Sequence, residues 1–86
     1  MHTVDWLEEA IRAVRKLGYR VRQDFLDGAV GGGCEIKGSK WVFMDLAMSP
    51  AEQLEVVLEV MKSDLNTASL ALSAELRKRV VPRAAA

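Results

Sequence analysis

Few residues in this 86-residue sequence combine a type and a spacing that could support chemistry. Cys34, the only cysteine, directly follows the glycine run Gly31–Gly33, and Asp45 ends the next apolar segment. A thiol becomes a nucleophile where a base and a polar, accessible setting favour the thiolate. The Gly31–Cys34 loop together with Asp45 is therefore the candidate site for a small ligand or a cryptic enzymatic activity.

A structural role is the better interpretation of each of these residues. Phosphate-binding glycine loops lead from a strand into a helix, whereas a strand follows Gly33, so this run is predicted to be a turn. Cys34 is predicted to pack as a small hydrophobe. Asp45 is predicted to accept hydrogen bonds from backbone amides near the next helix. We therefore predict no catalytic residue and a protein that is not an enzyme.

Metal and cofactor sites are not predicted either. His2 is the only histidine and lies next to the terminus, so neither a histidine-rich metal site nor a Ser-His pair can be assembled. Glu52, Glu55 and Glu59 could ligate a cation, but their spacing is typical of a solvated helix face. The sequence thus predicts no metal and no cofactor.

Basic residues are concentrated near the start of the chain. Twelve basic and twelve acidic residues cancel over the whole sequence, which argues against a protein that binds nucleic acid by neutralising phosphates. A solvated surface is the favoured interpretation of this candidate basic patch, and an acidic protein surface or nucleic acid is the alternative. The patch comprises Arg12, Arg15, Lys16, Arg20 and Arg22.

Two short apolar segments around Gly38-Ser39 are predicted to form a β-hairpin. A two-residue loop that begins with glycine suits the primed turns that match strand twist. Counting outward places Ile36 opposite Trp41 and Cys34 opposite Phe43, and alternation puts these four side chains on one face. We predict that this face is the core face.

Helices are predicted on both sides of the strands. Ser49 and Glu52 can form a capping box, with Pro50 at the first helical position. At the start of the chain, Thr3 is a predicted N-cap and Gly18 a stop, which gives a first helix over residues 4–17. Residues 19–26 alternate as a strand does. The sequence therefore predicts an α+β fold, αβββα, with a three-stranded antiparallel meander packed by two helices, plus a C-terminal helix.

The C-terminal part permits two interpretations. No glycine or proline lies between Pro50 and Pro82, so the second helix could continue unbroken. Alternatively the capping residue types in Ser63–Thr67 end that helix and a third one follows, which we favour. We predict an αβββα domain over residues 1–64, and a C-terminal helix with a basic tail over residues 65–86 that could be an association segment.

Surplus apolar residues suggest an interaction surface, because monomers rarely leave large apolar patches exposed. We predict a non-enzymatic protein-interaction or self-association domain, with a homo-oligomer or another protein as partner. A weaker alternative is nucleic-acid contact through Arg12–Arg22. The predicted interaction surface comprises Val42, Met44, Leu46, Leu65, Leu72 and Leu76.

The environment of the protein is indicated by what the sequence lacks. One cysteine excludes an intrachain disulfide, and neither a secretory signal nor a long apolar run is present. We predict a cytoplasmic location and no membrane partner.

The stretch from Gly33 to Gln53 carries a family resemblance. Its Gly-Cys hairpin and Ser-Pro-Ala-Glu-Gln helix start resemble small uncharacterised bacterial proteins, which implies an αβββα unit without an assigned activity. The element order also resembles minimal zincin-type peptidases. Residues 53–59 contain no His-Glu-x-x-His motif, so the metal ligands and the peptidase activity are not implied.

Overall fold

The computed structural model describes residues 2–29 and 31–80. The chain is α+β, which confirms the predicted class, and residues 81–86 of the predicted basic tail lie outside the described residues. In chain order the elements are α1 (Thr3–Lys16), β1 (Tyr19–Asp24), β2 (Gly32–Ile36), β3 (Ser39–Asp45), α2 (Pro50–Lys62), a 3₁₀ helix (Leu65–Ser69) and α3 (Ala74–Arg79).

The three strands form a mixed sheet in the order β1-β3-β2, so the predicted antiparallel meander is wrong. β1 runs parallel to β3, with Tyr19 beside Lys40 and Asp24 beside Asp45. β2 pairs antiparallel with the other side of β3. The alternation of residues and the turn positions do not indicate whether β1 pairs with β2 or with β3. The link of residues 25–31 is long enough to carry the chain to the far edge of the sheet.

Glycine makes this link fit against the end of β3. A Cβ at Gly31 would lie 2.8 Å from the carbonyl oxygen of Phe43, closer than real Cβ atoms approach. Earlier in the link, Asp27 and Gly28 both have positive φ, 50° and 87°. The turn is thus at Asp27-Gly28 and not in the glycine run, where it was predicted: Gly31 allows the close backbone approach, and Gly32 and Gly33 belong to β2.

The β-hairpin turn lies one residue earlier than predicted. Lys37 and Gly38 have φ values of 51° and 83°, and positive φ at both central residues is the requirement of a type I′ turn. Ile36 therefore lies opposite Ser39, and Cys34 lies opposite Trp41. The predicted Gly38-Ser39 loop is wrong because Lys37 accepts the left-handed conformation that the sequence rule reserves for glycine or asparagine.

The start of α2 is as predicted. The N–H of Glu52 donates to the Ser49 hydroxyl oxygen at 3.2 Å, and the N–H of Ser49 donates to the Glu52 carboxylate at 2.9 Å. Pro50 is the first helical residue. This reciprocal capping satisfies two amides that a helix otherwise leaves unpaired. The start of α1 is placed one residue earlier than predicted, with His2 as the N-cap.

Both long helices pack on the same side of the sheet, α1 against α2 and β1, and α2 against β2 and β3. Close packing is possible because β2 has no side chain at Gly33, where a Cβ would lie 3.0 Å from a Val60 methyl carbon. The core between helices and sheet consists of Leu7, Ala10, Ile11, Ala13, Val14, Val42, Met44, Leu54, Val57, Leu58, Val60, Met61, Leu76 and Val80.

The C-terminal segment breaks after α2 and returns to the core, which confirms the favoured interpretation. Asp64 accepts from the N–H of Asn66, and the buried Thr67 hydroxyl donates to the Met61 carbonyl at 2.7 Å. The N–H of Ser73 donates to the carboxylate of Glu9 in α1 at 2.7 Å. These bonds attach residues 65–80 to both long helices.

Candidate interaction surface

The two faces of the sheet are reversed relative to the prediction. Cys34, Ile36, Trp41 and Phe43 do share one face, but this face is turned away from α1 and α2. The helices instead cover Val42 and Met44, which are completely buried. β3 carries apolar side chains at four consecutive positions, 41–44, so alternation defines two sets without indicating which set is inside.

We use the term outer face for the side of the sheet opposite α1 and α2. Cys34 is exposed, Ile36 retains 45% of its accessible surface, and Trp41 and Phe43 are half-buried, while the core residues of α1 and α2 pack on the opposite side. Alternation and strand register define its members. They are Arg20, Arg22 and Asp24 of β1, Trp41, Phe43 and Asp45 of β3, and Cys34 and Ile36 of β2.

An aromatic pair forms the centre of the outer face. The rings of Trp41 and Phe43 stack with their centroids 5.5 Å apart and an interplanar angle of 11°. The guanidinium carbon of Arg20 lies over the Trp41 ring, 5.7 Å from its centroid. Offset-stacked aromatic rings attract each other beyond the area that they bury. The pair is therefore an apolar feature at the centre of this face.

Charged residues border this pair, and their signs differ at the two ends of the strands. Arg20 lies level with Trp41, whereas Asp24 and Asp45 are neighbours at the carboxyl ends of β1 and β3. Arg22, between them, contacts the Asp24 carboxylate at 3.2 Å. The backbone N–H of Phe25, and then Arg22, lower the pKa of Asp24. The outer face thus has a basic end and an acidic end.

Half of the residues predicted to form the interaction surface are buried in the core. Val42, Met44 and Leu76 are buried in the core, which corrects the expectation that they lie outside. Leu72 packs partly against the core, while Leu46 and Leu65 remain 41% and 70% exposed. The outer face was missed because the hairpin was assigned the wrong side. The available signal was in β1, where Arg20 and Arg22 alternate with Tyr19 and Val21 and mark the wet side.

The residues of the predicted loop site do not meet in one place. Gly31 and Asp45 line a shallow cavity of about 330 Å³ with Gly28, Ala29, Phe43, Met48 and Val56. Cys34 lines a different cavity, of about 500 Å³. Its thiol is exposed, so the expected packed position is wrong. Asp45 accepts from the N–H of Ala47 at 2.9 Å, which matches its predicted role near the helix start.

The predicted basic patch is divided between two sides of the molecule. Arg12, Arg15 and Lys16 are exposed on α1 in the helical layer. Arg20 and Arg22 are on the outer face of the sheet. Glu8 and Glu9 line cavities beside Arg12, which further dilutes the positive charge on the helical side.

A second polar cluster, at the edge of the inner face, stabilises the structure. The ammonium of Lys40 lies 4.6 Å from the Tyr19 ring centroid, donates to the carbonyl of Leu17 at 3.0 Å, and is 3.7 Å from the Asp64 carboxylate. Burial raises the pKa of Tyr19 above its ordinary value of 10.0, and Asp64 raises it further. Through these contacts Lys40 of β3 joins Tyr19 of β1 to Asp64, which follows α2. The cluster therefore has a structural role.

The chain shows neither a metal site within its described residues nor a match to known proteins. In residues 2–29 and 31–80, no group of three or more His, Cys, Asp or Glu side chains could hold a metal ion. No helix within the described part of the chain is long and apolar enough to cross a membrane. The chain matches no protein-family model, no curated protein and no solved structure. The two resemblances noted from the sequence stay predictions, and the geometry of the outer face is the basis for a functional proposal.

Proposed function

We propose that this protein is a non-enzymatic interaction domain that binds protein through the outer face of its sheet. The observation that carries the proposal is the stacked Trp41–Phe43 pair, which lies half-buried on the face that α1 and α2 do not cover. Tryptophan and arginine are enriched in interface hot spots, where an apolar centre is surrounded by polar groups that exclude water. Trp41 with Arg20 over its ring has this composition.

Protein is favoured over nucleic acid by the orientation of the rings. Single-stranded nucleic acid binds by stacking its bases on free aromatic faces within a positively charged groove. The Trp41 ring already stacks on Phe43 and has the Arg20 guanidinium over it. Two carboxylates, Asp24 and Asp45, lie on the same face, and one of them pairs with Arg22. These charges oppose phosphate and suit a partner that carries both signs.

A small-ligand or enzymatic role has weaker support. Cys34 and Asp45 line separate cavities, so they do not act on one bound molecule in this arrangement. An exposed free thiol is compatible with a reducing compartment, so the proposal includes a cytoplasmic location.

The test is a comparison of one double variant with a matched control. Trp41→Ser/Phe43→Ser removes the aromatic pair, and Leu65→Ser removes an apolar side chain that is 70% exposed elsewhere. Sedimentation equilibrium measures self-association, and immobilised chain exposed to cell extract measures binding of other proteins. We expect the double variant to lose whichever association the natural chain shows, while Leu65→Ser retains it.

Circular dichroism must show that both variants are folded before the comparison is made. The proposal is wrong if the folded double variant has the same mass and the same bound proteins as the natural chain. It is also wrong if Leu65→Ser alone abolishes association, because the interface would then include the 3₁₀ helix.

A further inference from the structure

The charges along β1 on the outer face are arranged so that the face complements itself. Arg20, Arg22 and Asp24 occupy alternate positions, with a cation at one end and a carboxylate at the other. Among the described residues Arg20 forms no salt bridge, and its guanidinium lies over the Trp41 ring. In an isologous interface the same patch meets itself, so a cation at one end of the face can approach the carboxylate at the other end of the second copy. Asp24, which already pairs with Arg22 of its own chain, is that carboxylate.

We propose that the partner of the outer face is a second copy of this chain, packed face to face with its strands antiparallel. This inference rests on the proposed function and specifies its partner. A two-fold axis across the strands at the level of Arg22 and Phe43 lays β1 of one copy over β1 of the other in the opposite direction. Arg20 of each copy then approaches Asp24 of the other, so that two ion pairs form by symmetry.

The same rotation brings the two Phe43 rings together. Phe43 and Arg22 are at the same level of the sheet, so each meets its own copy near the axis, and Trp41 faces Asp45 of the other copy. Each Arg22 is already paired with Asp24 of its own chain at 3.2 Å, which offsets the contact between the two cations. Sheets that pack face to face lie about 10 Å apart and interdigitate side chains from both faces, so large side chains such as Phe43 can fill the space between them. The opposite arrangement, with parallel strands, places Asp45 over Asp45 and leaves Arg20 without a carboxylate.

Charge reversal tests this arrangement. Arg20→Asp makes both members of each intermolecular pair acidic, and Asp24→Arg makes both members basic. We expect each variant alone to dimerise at least about tenfold more weakly than the natural chain, because attraction is replaced by repulsion at two sites. In an equimolar mixture, a heterodimer of the two variants again places an acidic residue opposite a basic residue in both intermolecular pairs. We therefore expect native mass spectrometry to show the heterodimer as the main dimeric species.

A control and a second variant guard against effects on folding. Lys16→Asp changes an exposed charge on α1 by the same amount and is expected to leave the dimerisation constant within about twofold. The double variant Arg20→Asp/Asp24→Arg has complementary charges again. It is expected to dimerise with itself and to exclude the natural chain, which a merely destabilised protein would not do.

Three results would overturn the inference. In the first, the natural chain stays monomeric at all concentrations, and Trp41→Ser/Phe43→Ser loses binding of another protein. This result would support the proposed function and exclude a second copy as the partner. A dimer unaffected by either charge reversal places self-association elsewhere. In the third, Arg20→Asp and Asp24→Arg each dimerise more weakly, but their equimolar mixture forms no heterodimer. This result would exclude the antiparallel arrangement.

Discussion

The two faces of the sheet carry similar apolar side chains and differ in what covers them. On the inner face, Val42 and Met44 are buried against α1 and α2. On the outer face, Trp41 and Phe43 stack on each other and are bordered by charges. The comparison teaches that apolar content did not decide which side became the core. The helices cover the side on which β2 presents Gly33 next to Val60, and the larger aromatic residues lie on the other side.

The largest expected contrast is in stability. Met44→Ala removes a fully buried side chain and should reduce the free energy of unfolding by about 2–5 kcal/mol. Phe43→Ala removes a half-buried ring and should cost less than Met44→Ala, because it loses about 0.5–1.5 kcal/mol of the aromatic pair and only part of the free energy of burying a full ring. Urea denaturation followed by circular dichroism, at a concentration where the chain is monomeric, measures both. Equal losses would mean that the outer face is covered within one chain.

The link beneath β3 should be the next most sensitive position. Gly31→Ala places a Cβ against the backbone carbonyl of Phe43, which cannot rotate away, and we expect a loss of about 1–3 kcal/mol. Gly33→Ala meets a methyl group of Val60, whose side chain can move, so its cost should be smaller. Thermal unfolding of the two variants gives the order. A larger loss for Gly33→Ala would contradict the close approach of Gly31 to the carbonyl of Phe43.

The pKa of Tyr19 tests whether the edge of the inner face, where this residue lies, is shielded from water. Burial and then Asp64 raise the pKa of Tyr19 above 10.0, so the folded chain holds this proton more tightly than the unfolded chain. The associated stability is complete below pH 10.0 and is lost as the pH rises through the pKa of the folded state. This residue is the only tyrosine, so its ultraviolet absorbance reports the pKa directly.

The control for this titration is Tyr19→Phe, which should lack the alkaline loss that depends on Tyr19. A tyrosine that ionises at its ordinary pKa in the folded chain would contradict the contact with Asp64 and the desolvation of this edge.

The smallest expected effect concerns Cys34. Its side chain is exposed on the outer face, so Cys34→Ser should change the free energy of unfolding by less than about 0.5 kcal/mol. Chemical denaturation checks this. A loss of 2 kcal/mol or more, about the cost of truncating a core side chain, would return Cys34 to the core position that its apolar neighbours suggested.

The sequence was sufficient for features that depend on a few adjacent residues. The capping box at Ser49 and Glu52 formed, and the break after α2 lies where capping residue types are concentrated. The hairpin formed one residue away from its predicted turn because Lys37, rather than Ser39, takes positive φ. Local hydrogen bonds and turn geometry determine these features, and nearby residues encode them.

Features that depend on distant contacts were not predictable in the same way. Whether β1 pairs with β2 or β3 depends on the route of the link, which no local pattern specifies. The side of the hairpin that meets the helices depends on the contact between Gly33 and Val60, which are far apart in the sequence. For this reason the residues of the outer face were predicted to lie in the core, and the interaction surface was predicted on the opposite side of the sheet.

The most direct test of the outer face as a binding surface is the alkylation rate of Cys34 as a function of protein concentration. This thiol is the only one in the chain and lies beside Trp41 on β2. We predict that the rate falls as the chain associates, and that it stays constant in Trp41→Ser/Phe43→Ser. An unchanged rate over a range in which sedimentation shows association would mean that the outer face stays open, and would contradict the account.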